Sequence, residues 1–243
     1  GPHHRGTGPA LCGEDQRERD LSLRNQRTVV CGDESLAGFF LAIRLYCISK
    51  GAEIVCGRYT LYTEEQAEEI RQIIDIAQRQ VNGQLKLGEV FPSDRAPILV
   101  ASQDKVVVRT AVWGFPGFQG KGLLINARSE TAAEKPMFRQ QFLISRCVVP
   151  TTGFYEWNKQ KKKFLFHYPD STVVYLAGLW REVGGKRRYT ILTTEPNQAV
   201  AAVHNRMPVL LAKEQVRPWL MDTTVALQML HAKQPELVGR AAD

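Results

Sequence analysis

Four polar side chains stand among neighbours that would alter their reactivity. Glu156 lies in Gly153-Phe154-Tyr155-Glu156-Trp157, where aromatic neighbours would desolvate a carboxyl and raise its pKa towards acid–base work. The competing reading is the solvent face of an alternating strand. Cys56 opens the pentapeptide Cys56-Gly57-Arg58-Tyr59-Thr60, and its structural reading is a small buried hydrophobe. Asn126 ends the apolar run Leu123-Leu124-Ile125 and precedes Arg128-Ser129-Glu130; its structural reading is a strand-terminating turn residue. His204 opens His204-Asn205-Arg206-Met207-Pro208, and a lone histidine serves structure more often than catalysis.

Other chemistries lack their residues. No Cys-x-x-Cys and no histidine pair at helical spacing occur, so a metal site has little support and none is expected. The glycines of Gly117-Phe118-Gln119-Gly120-Lys121-Gly122 lack phosphate-loop spacing and its Ser/Thr, and read as a turn between strands. A Gly-x-Ser-x-Gly elbow is absent from the sequence.

The elements that must position these groups are mostly strands. Residues 63–66, Thr-Glu-Glu-Gln, have capping-box form and lead into an amphipathic helix to about residue 80, with Ile70, Ile73, Ile74 and Ala77 on one face. Runs rich in β-branched and aromatic residues predict strands at 105–113, 122–125, 146–149, 163–168, 172–180 and 187–194. Short helices are expected at 134–142, 197–202, 213–221 and 225–232. Irregular interspersion of helices, rather than βαβ alternation, indicates an α+β domain on a largely antiparallel, barrel-like β-sheet.

The 243 residues are 44% hydrophobic and 23% charged, which excludes collagen, coiled coil and wholesale disorder. The longest apolar run, residues 36–48, is broken by Arg44 and too short to span a bilayer, so no membrane association is expected. Residues 1–55 hold seven basic and seven acidic side chains, and the whole formal charge of +7 (32 minus 25) therefore belongs to residues 56–243. A net-basic domain favours a polyanionic partner, with a merely basic surface as the alternative. Of five cysteines only Cys56 and Cys147 follow residue 55, which is no disulfide framework and points to a reducing compartment.

Residues 1–55 show no sustained period outside that one apolar stretch, and the Gly1-Pro2-His3-His4 opening lacks the charged region of a secretory signal. They read as a non-domain leader: an appendage, a removed segment, or sequence upstream of the true start. Lys50-Gly51-Ala52 can be encoded by a purine-rich ribosome-binding stretch and Val55 by GTG, a bacterial start codon. In that case methionine at 55 is removed and Cys56 becomes the first residue. The domain is expected to span 56–243.

Together the pieces are specific. Cys56-Gly57-Arg58-Tyr59-Thr60, Asn126-Ala127-Arg128-Ser129-Glu130-Thr131, Gly153-Phe154-Tyr155-Glu156-Trp157 and His204-x-Arg206-Met207-Pro208, in that order, resemble the SOS response-associated peptidase (SRAP) family across residues 56–243. Phe91-Pro92-Ser93-Asp94 and Trp113-Gly114-Phe115 also resemble family segments. The resemblance implies an SRAP-like fold, no cofactor, and recognition of abasic sites in single-stranded DNA with a covalent crosslink through an N-terminal cysteine.

The chemistry this implies is coherent. An amine with a thiol two carbons away converts an aldehyde first to an imine and then to a five-membered thiazolidine, and only an N-terminal cysteine offers both groups. At pH 7.4 roughly a third of an ordinary α-amine is neutral, against about a thousandth of a lysine. By carry-over from the family, Glu156 shuttles protons, Asn126 orients the amine or sugar, and His204 assists ring opening. Arg58, Arg128 and Arg206 hold phosphates. Trp113, Phe115, Pro92 and Trp157 stack on or wedge between bases, whereas Trp180 and Trp219 are expected in the core. The competing functions are a thiol autopeptidase in which Cys56 removes the preceding segment, with AP-lyase activity a further possibility of the family chemistry, and a non-enzymatic reader of single-stranded DNA. The expected setting is a monomer in the bacterial cytoplasm, at the nucleoid when acting, with replication or repair proteins as possible partners.

Overall fold

The computed structural model describes residues 56–62, 68–81, 85–170 and 173–242. Residues 1–55, expected as a leader, and the capping-box residues 63–66 lie outside the described residues. In chain order the elements are β1 (Arg58–Leu61), α1 (Glu68–Gln78), β2 (Gly88–Val90), β3 (Arg95–Ser102), β4 (Lys105–Trp113), β5 (Phe115–Pro116), β6 (Leu123–Leu124) and β7 (Asn126–Arg128). Next come α2 (Ser129–Ala132), α3 (Pro136–Ile144), β8 (Arg146–Thr151), β9 (Gly153–Trp157), β10 (Lys163–His167), β11 (Val174–Val183) and β12 (Lys186–Thr194). The chain ends with α4 (Gln198–Ala201), β13 (Met207–Pro208), β14 (Leu210–Leu211), α5 (Val216–Met221), α6 (Thr223–Met229) and β15 (Val238–Ala242).

Five strands close a barrel. β4 runs antiparallel to β3, with Arg95 opposite Val112 and Ser102 opposite Lys105. β3 pairs with β8, β8 with β11, and β11 with β12, all antiparallel. β12 then returns to β4 in parallel, Arg188 beside Val112, which completes the ring. Closure leaves no unpaired edge around the core. The expectation of a largely antiparallel α+β barrel holds; the parallel contacts are β12 with β4 and β12 with β7. A second, wholly antiparallel sheet runs β15-β10-β9-β1-β2, and β1 is tied to the barrel where the Thr152 N–H donates to the Thr60 carbonyl at 3.0 Å.

Local sequence explains several elements. α1 buries Ile70, Ile73, Ile74 and Ala77, the predicted stripe, and carries Glu68 and Glu69 in its first turn, where they face the positive end of the helix dipole. Burying each isoleucine stabilises the fold by about 1.5–3 kcal/mol. The strand expected at 122–125 is found as the shorter β6, and β7 follows at Asn126; between them the Ile125 carbonyl accepts from Trp113 Nε1 and from the Ile191 N–H, each at 3.0 Å. β9 must begin with glycine: a Cβ on Gly153 would lie 2.7 Å from the Phe166 carbonyl oxygen on β10. Trp219 is fully buried as expected, with Nε1 donating to the Cys147 carbonyl at 2.9 Å, while Trp180 is only partly buried against the same core. No helix among the described residues is long and apolar enough to cross a membrane.

Candidate active site

The β1–β9 register sets the centre of the site. Arg58 lies opposite Tyr155 and Tyr59 opposite Phe154, so residues just before β1 run alongside Glu156. Cys56 is fully buried and its backbone N–H donates to Glu156 Oε1 at 2.5 Å. Cys56 also adopts φ 44°, a left-handed conformation that costs a non-glycine residue energy and is found where surrounding structure imposes it. On the other carboxylate oxygen, Glu156 Oε2 is 4.0 Å from His204 Nδ1. The nitrogen of Cys56, the carboxyl and the imidazole therefore converge on one point from β1, β9 and the turn that precedes β13.

Burial dominates the electrostatics. Glu156 is 1% exposed, and burial pushes its carboxyl well above the usual carboxylate range despite hydrogen bonds from the Cys56 and Trp157 N–H groups that pull it down. Burial, followed by the adjacent Glu156, pushes the Cys56 thiol up as well. A carboxyl whose pKa is raised by burial is better suited to donate a proton as well as to accept one.

β12 places the rest. Its Ile191 lies beside Asn126 at the start of β7, and its Thr193–Thr194 pair with β13, just beyond His204. Asn126, Arg128, Lys135, Met137, Phe138 and Arg181 line an open groove of about 830 Å³. Arg128 is exposed on it.

The predicted phosphate and base contacts divide. Arg58 lies 4.5 Å over the Phe91 ring and 5.0 Å from the Trp157 ring, with Nη1 3.3 Å from Glu89. Trp157 and Arg58 thus form one partly exposed aromatic and cationic surface. Trp113, Phe115 and Pro92 do not join it. Trp113 is fully buried and stacked on Tyr189 at 6.2 Å, Phe115 is fully buried against Phe138, and Pro92 is buried in its turn. The Trp113 and Phe115 rings complete the core, and the stacking role expected of the three does not match their burial. Arg206 is likewise engaged: it grips Glu130 with both Nη atoms, at 2.6 and 2.9 Å, and donates to the Thr193 carbonyl at 2.6 Å.

Sequence reasoning missed Glu89, Phe91 and Glu130. Glu89 joins Arg58 to Lys163, and Glu130 holds Arg206. Glu130 was legible in part, since it lies within the motif carrying Asn126 and Arg128; Glu89 has no local signal. Among the described residues no three His, Cys, Asp or Glu side chains converge as metal ligands, and Cys56 and Cys147 are both free and buried.

Comparison with known proteins agrees with this architecture. The chain is 32% identical over 181 residues to the abasic site processing protein YoaM of Bacillus subtilis, covering 68% of this chain and 79% of that protein. It is 29% identical over 139 residues to the abasic site processing protein YedK of Escherichia coli, covering 54% and 63%. A crystal structure of a protein from Bacteroides thetaiotaomicron superposes with a TM-score of 0.61 over 77% of this chain and 92% of that one, at 21% identity, a likeness of fold alone. The family profile described as SOS response associated peptidase (SRAP) matches residues 55–239, and the chain belongs to that family.

Proposed function

We propose that this protein acts at abasic sites in single-stranded DNA and is joined to them through Cys56 as a thiazolidine. The observation that carries the reading is the contact between the Cys56 nitrogen and the buried Glu156, with His204 on the far oxygen. Membership of the family and the names of its relatives support the DNA lesion as substrate.

The reaction needs residues 1–55 to be absent, so that the Cys56 nitrogen is an α-amine. That amine adds to C1′ of the ring-opened sugar aldehyde. Glu156 protonates the departing hydroxyl, water leaves, and a C=N bond remains. The thiol then adds across that bond; sulfur bonds to C1′ and its proton ends on nitrogen. One aldehyde and one aminothiol yield one thiazolidine and one water, with no oxidant or reductant. His204 is placed to exchange protons with Glu156 between steps. Trp157, with Arg58 beside it, offers the stacking and phosphate-facing surface, and Arg128 the second cationic edge.

A second reading is favoured by the same contact. If residues 1–55 precede Cys56, its Sγ attacks the Val55 carbonyl, the C–N bond breaks, and Glu156 delivers the proton to the leaving nitrogen of Cys56; water then hydrolyses the thioester. This exposes the amine that crosslinking requires, and the left-handed backbone at Cys56 adds strain at the scissile junction.

Intact mass spectrometry tests both. A chain starting at Cys56, mixed with a single-stranded oligonucleotide bearing one abasic site, should gain the oligonucleotide mass less one water, and Cys56→Ala should not. If that chain adds nothing, the crosslinking reading is lost. A full-length chain that shortens to Cys56 in the wild type but not in Glu156→Gln supports self-cleavage. Salt-sensitive binding that survives Cys56→Ala with no adduct in either form identifies a non-covalent reader.

A further inference from the structure

We infer that Glu130 and Arg206 form a clamp that fixes the position of the His204 ring, which makes both of them positioning residues for the proton traffic at Glu156; the catalytic part of this inference rests on the proposed crosslinking reaction. Arg206 carries a charge suited to phosphate, yet its guanidinium is satisfied within the protein. Both Nη atoms bond to Glu130, at 2.6 and 2.9 Å, and Nη2 also donates to the Thr193 carbonyl at 2.6 Å. The side chain is 12% exposed. A bidentate, charge-assisted fork of this kind fixes orientation as well as position.

The clamp joins three segments. Glu130 lies in the first turn of α2, directly after the strand that carries Asn126. Thr193 lies on β12, opposite Arg128 on β7 and Pro208 on β13. Arg206 is two residues from His204, and its own backbone N–H donates to His204 Nδ1 at 3.2 Å. The other end of the histidine segment is tied down where the His204 N–H donates to the Val200 carbonyl at 2.8 Å. The Arg206 carbonyl oxygen lies 3.3 Å from the same Nδ1, so the Arg206 backbone offers that nitrogen a donor and an acceptor and holds the ring in either tautomer. Nδ1 also faces Glu156 Oε2 at 4.0 Å. The guanidinium therefore sets the backbone, the backbone sets the ring, and the ring presents Nδ1 to the buried carboxyl.

The test uses the chain from Cys56 onward, with Glu130→Gln, which keeps one acceptor and removes the charge, and Arg206→Lys, which keeps the charge and removes the fork. Long-range 15N–1H NMR of the histidine rings reads the ring's setting without DNA or activity. Wild type is expected to show one well-defined set of His204 ring signals, and both variants shifted or averaged signals, in samples whose amide spectra remain dispersed. Unchanged His204 ring signals in folded variants overturn the clamp whatever the protein does to DNA. For the reaction, single-turnover crosslinking is expected to slow by about 10- to 100-fold. Affinity for a tetrahydrofuran-containing strand, which cannot react, should stay within about twofold because no phosphate contact is lost. Weakened affinity with a reduced salt slope and an unchanged single-turnover rate would instead make Arg206 a phosphate contact and end the positioning role. Failure of the wild type to crosslink removes the proposed function and leaves the NMR result to decide the clamp.

Discussion

Arg146 at the start of β8 and Glu156 in β9 are 5% and 1% exposed, and the protein surrounds them in opposite ways. Arg146 Nε donates to the Trp219 carbonyl at 2.5 Å, Nη1 to Phe142 and Leu143 carbonyls and to Thr223 Oγ1, and Nη2 to the Leu220 carbonyl. Those carbonyls belong to the last turns of α3 and α5, where backbone acceptors have no helical partner and the dipole is negative. One side chain therefore caps two helices against the barrel. Glu156 receives backbone N–H groups, with no lysine or arginine among the described residues shown bonded to it, and burial raises its pKa. A buried charge with matched partners organises the fold; a buried carboxyl left short of compensation is ready to exchange a proton.

The largest expected effect would break the functional half of this contrast. Glu156→Gln keeps the volume and the acceptor for the Cys56 N–H but holds no exchangeable acid proton, and the crosslinking rate should fall by about 10²- to 10⁴-fold. Single-turnover gels measure it; a rate within a factor of a few of wild type removes Glu156 from the chemistry. Next comes the structural half. Arg146→Met leaves the carbonyls of α3 and α5 without a donor and should cost about 3–5 kcal/mol in urea unfolding. A loss below about 1 kcal/mol would mean that water replaces the guanidinium and that the two sites are not opposites.

The contrast sharpens with pH. Because the folded-state pKa of Glu156 is raised, the native protein holds a proton that the unfolded chain, with a carboxylate near 4.5, releases. Stability contributed by this residue is therefore undiminished below about 4.5, falls as pH climbs towards the raised value, and stays low above it. Glu156→Gln should abolish that slope and make the protein more stable than wild type at pH 8, while disabling it. Parallel slopes of melting temperature against pH for variant and wild type would refute the raised pKa. The smallest expected effect concerns the exposed cation: Arg58→Ala should lower the salt slope of single-strand binding by about 0.7, and an unchanged slope would assign Arg58 wholly to Glu89 and the rings beside it.

Legibility followed the range of the interaction. The α1 stripe and β4, whose expected limits 105–113 match Lys105–Trp113, were readable because periodicity and β-branched content are local properties. β3 was hidden because it carries Pro97, a residue that argues against a strand unless the chain accommodates its missing donor. The site was readable as four motifs, yet the roles of individual residues inside them were not. Trp113 and Phe115, expected from the family resemblance to stack on bases, fill the core in the fold, and Arg206, expected to hold phosphate, is held by Glu130.

By itself the sequence determined the helical stripe of α1 and strands such as β4, that the excess positive charge lies after residue 55, and which residue types meet the needs of aminothiol chemistry. Tertiary structure alone decided that Cys56 touches Glu156, a hundred positions away, that β12 closes the barrel against β4, and that Glu130 holds Arg206 and Glu89 joins Arg58 to Lys163. The reason is physical: propensity and periodicity act over a few residues, whereas burial, pKa and partner choice depend on which distant strands come to lie side by side.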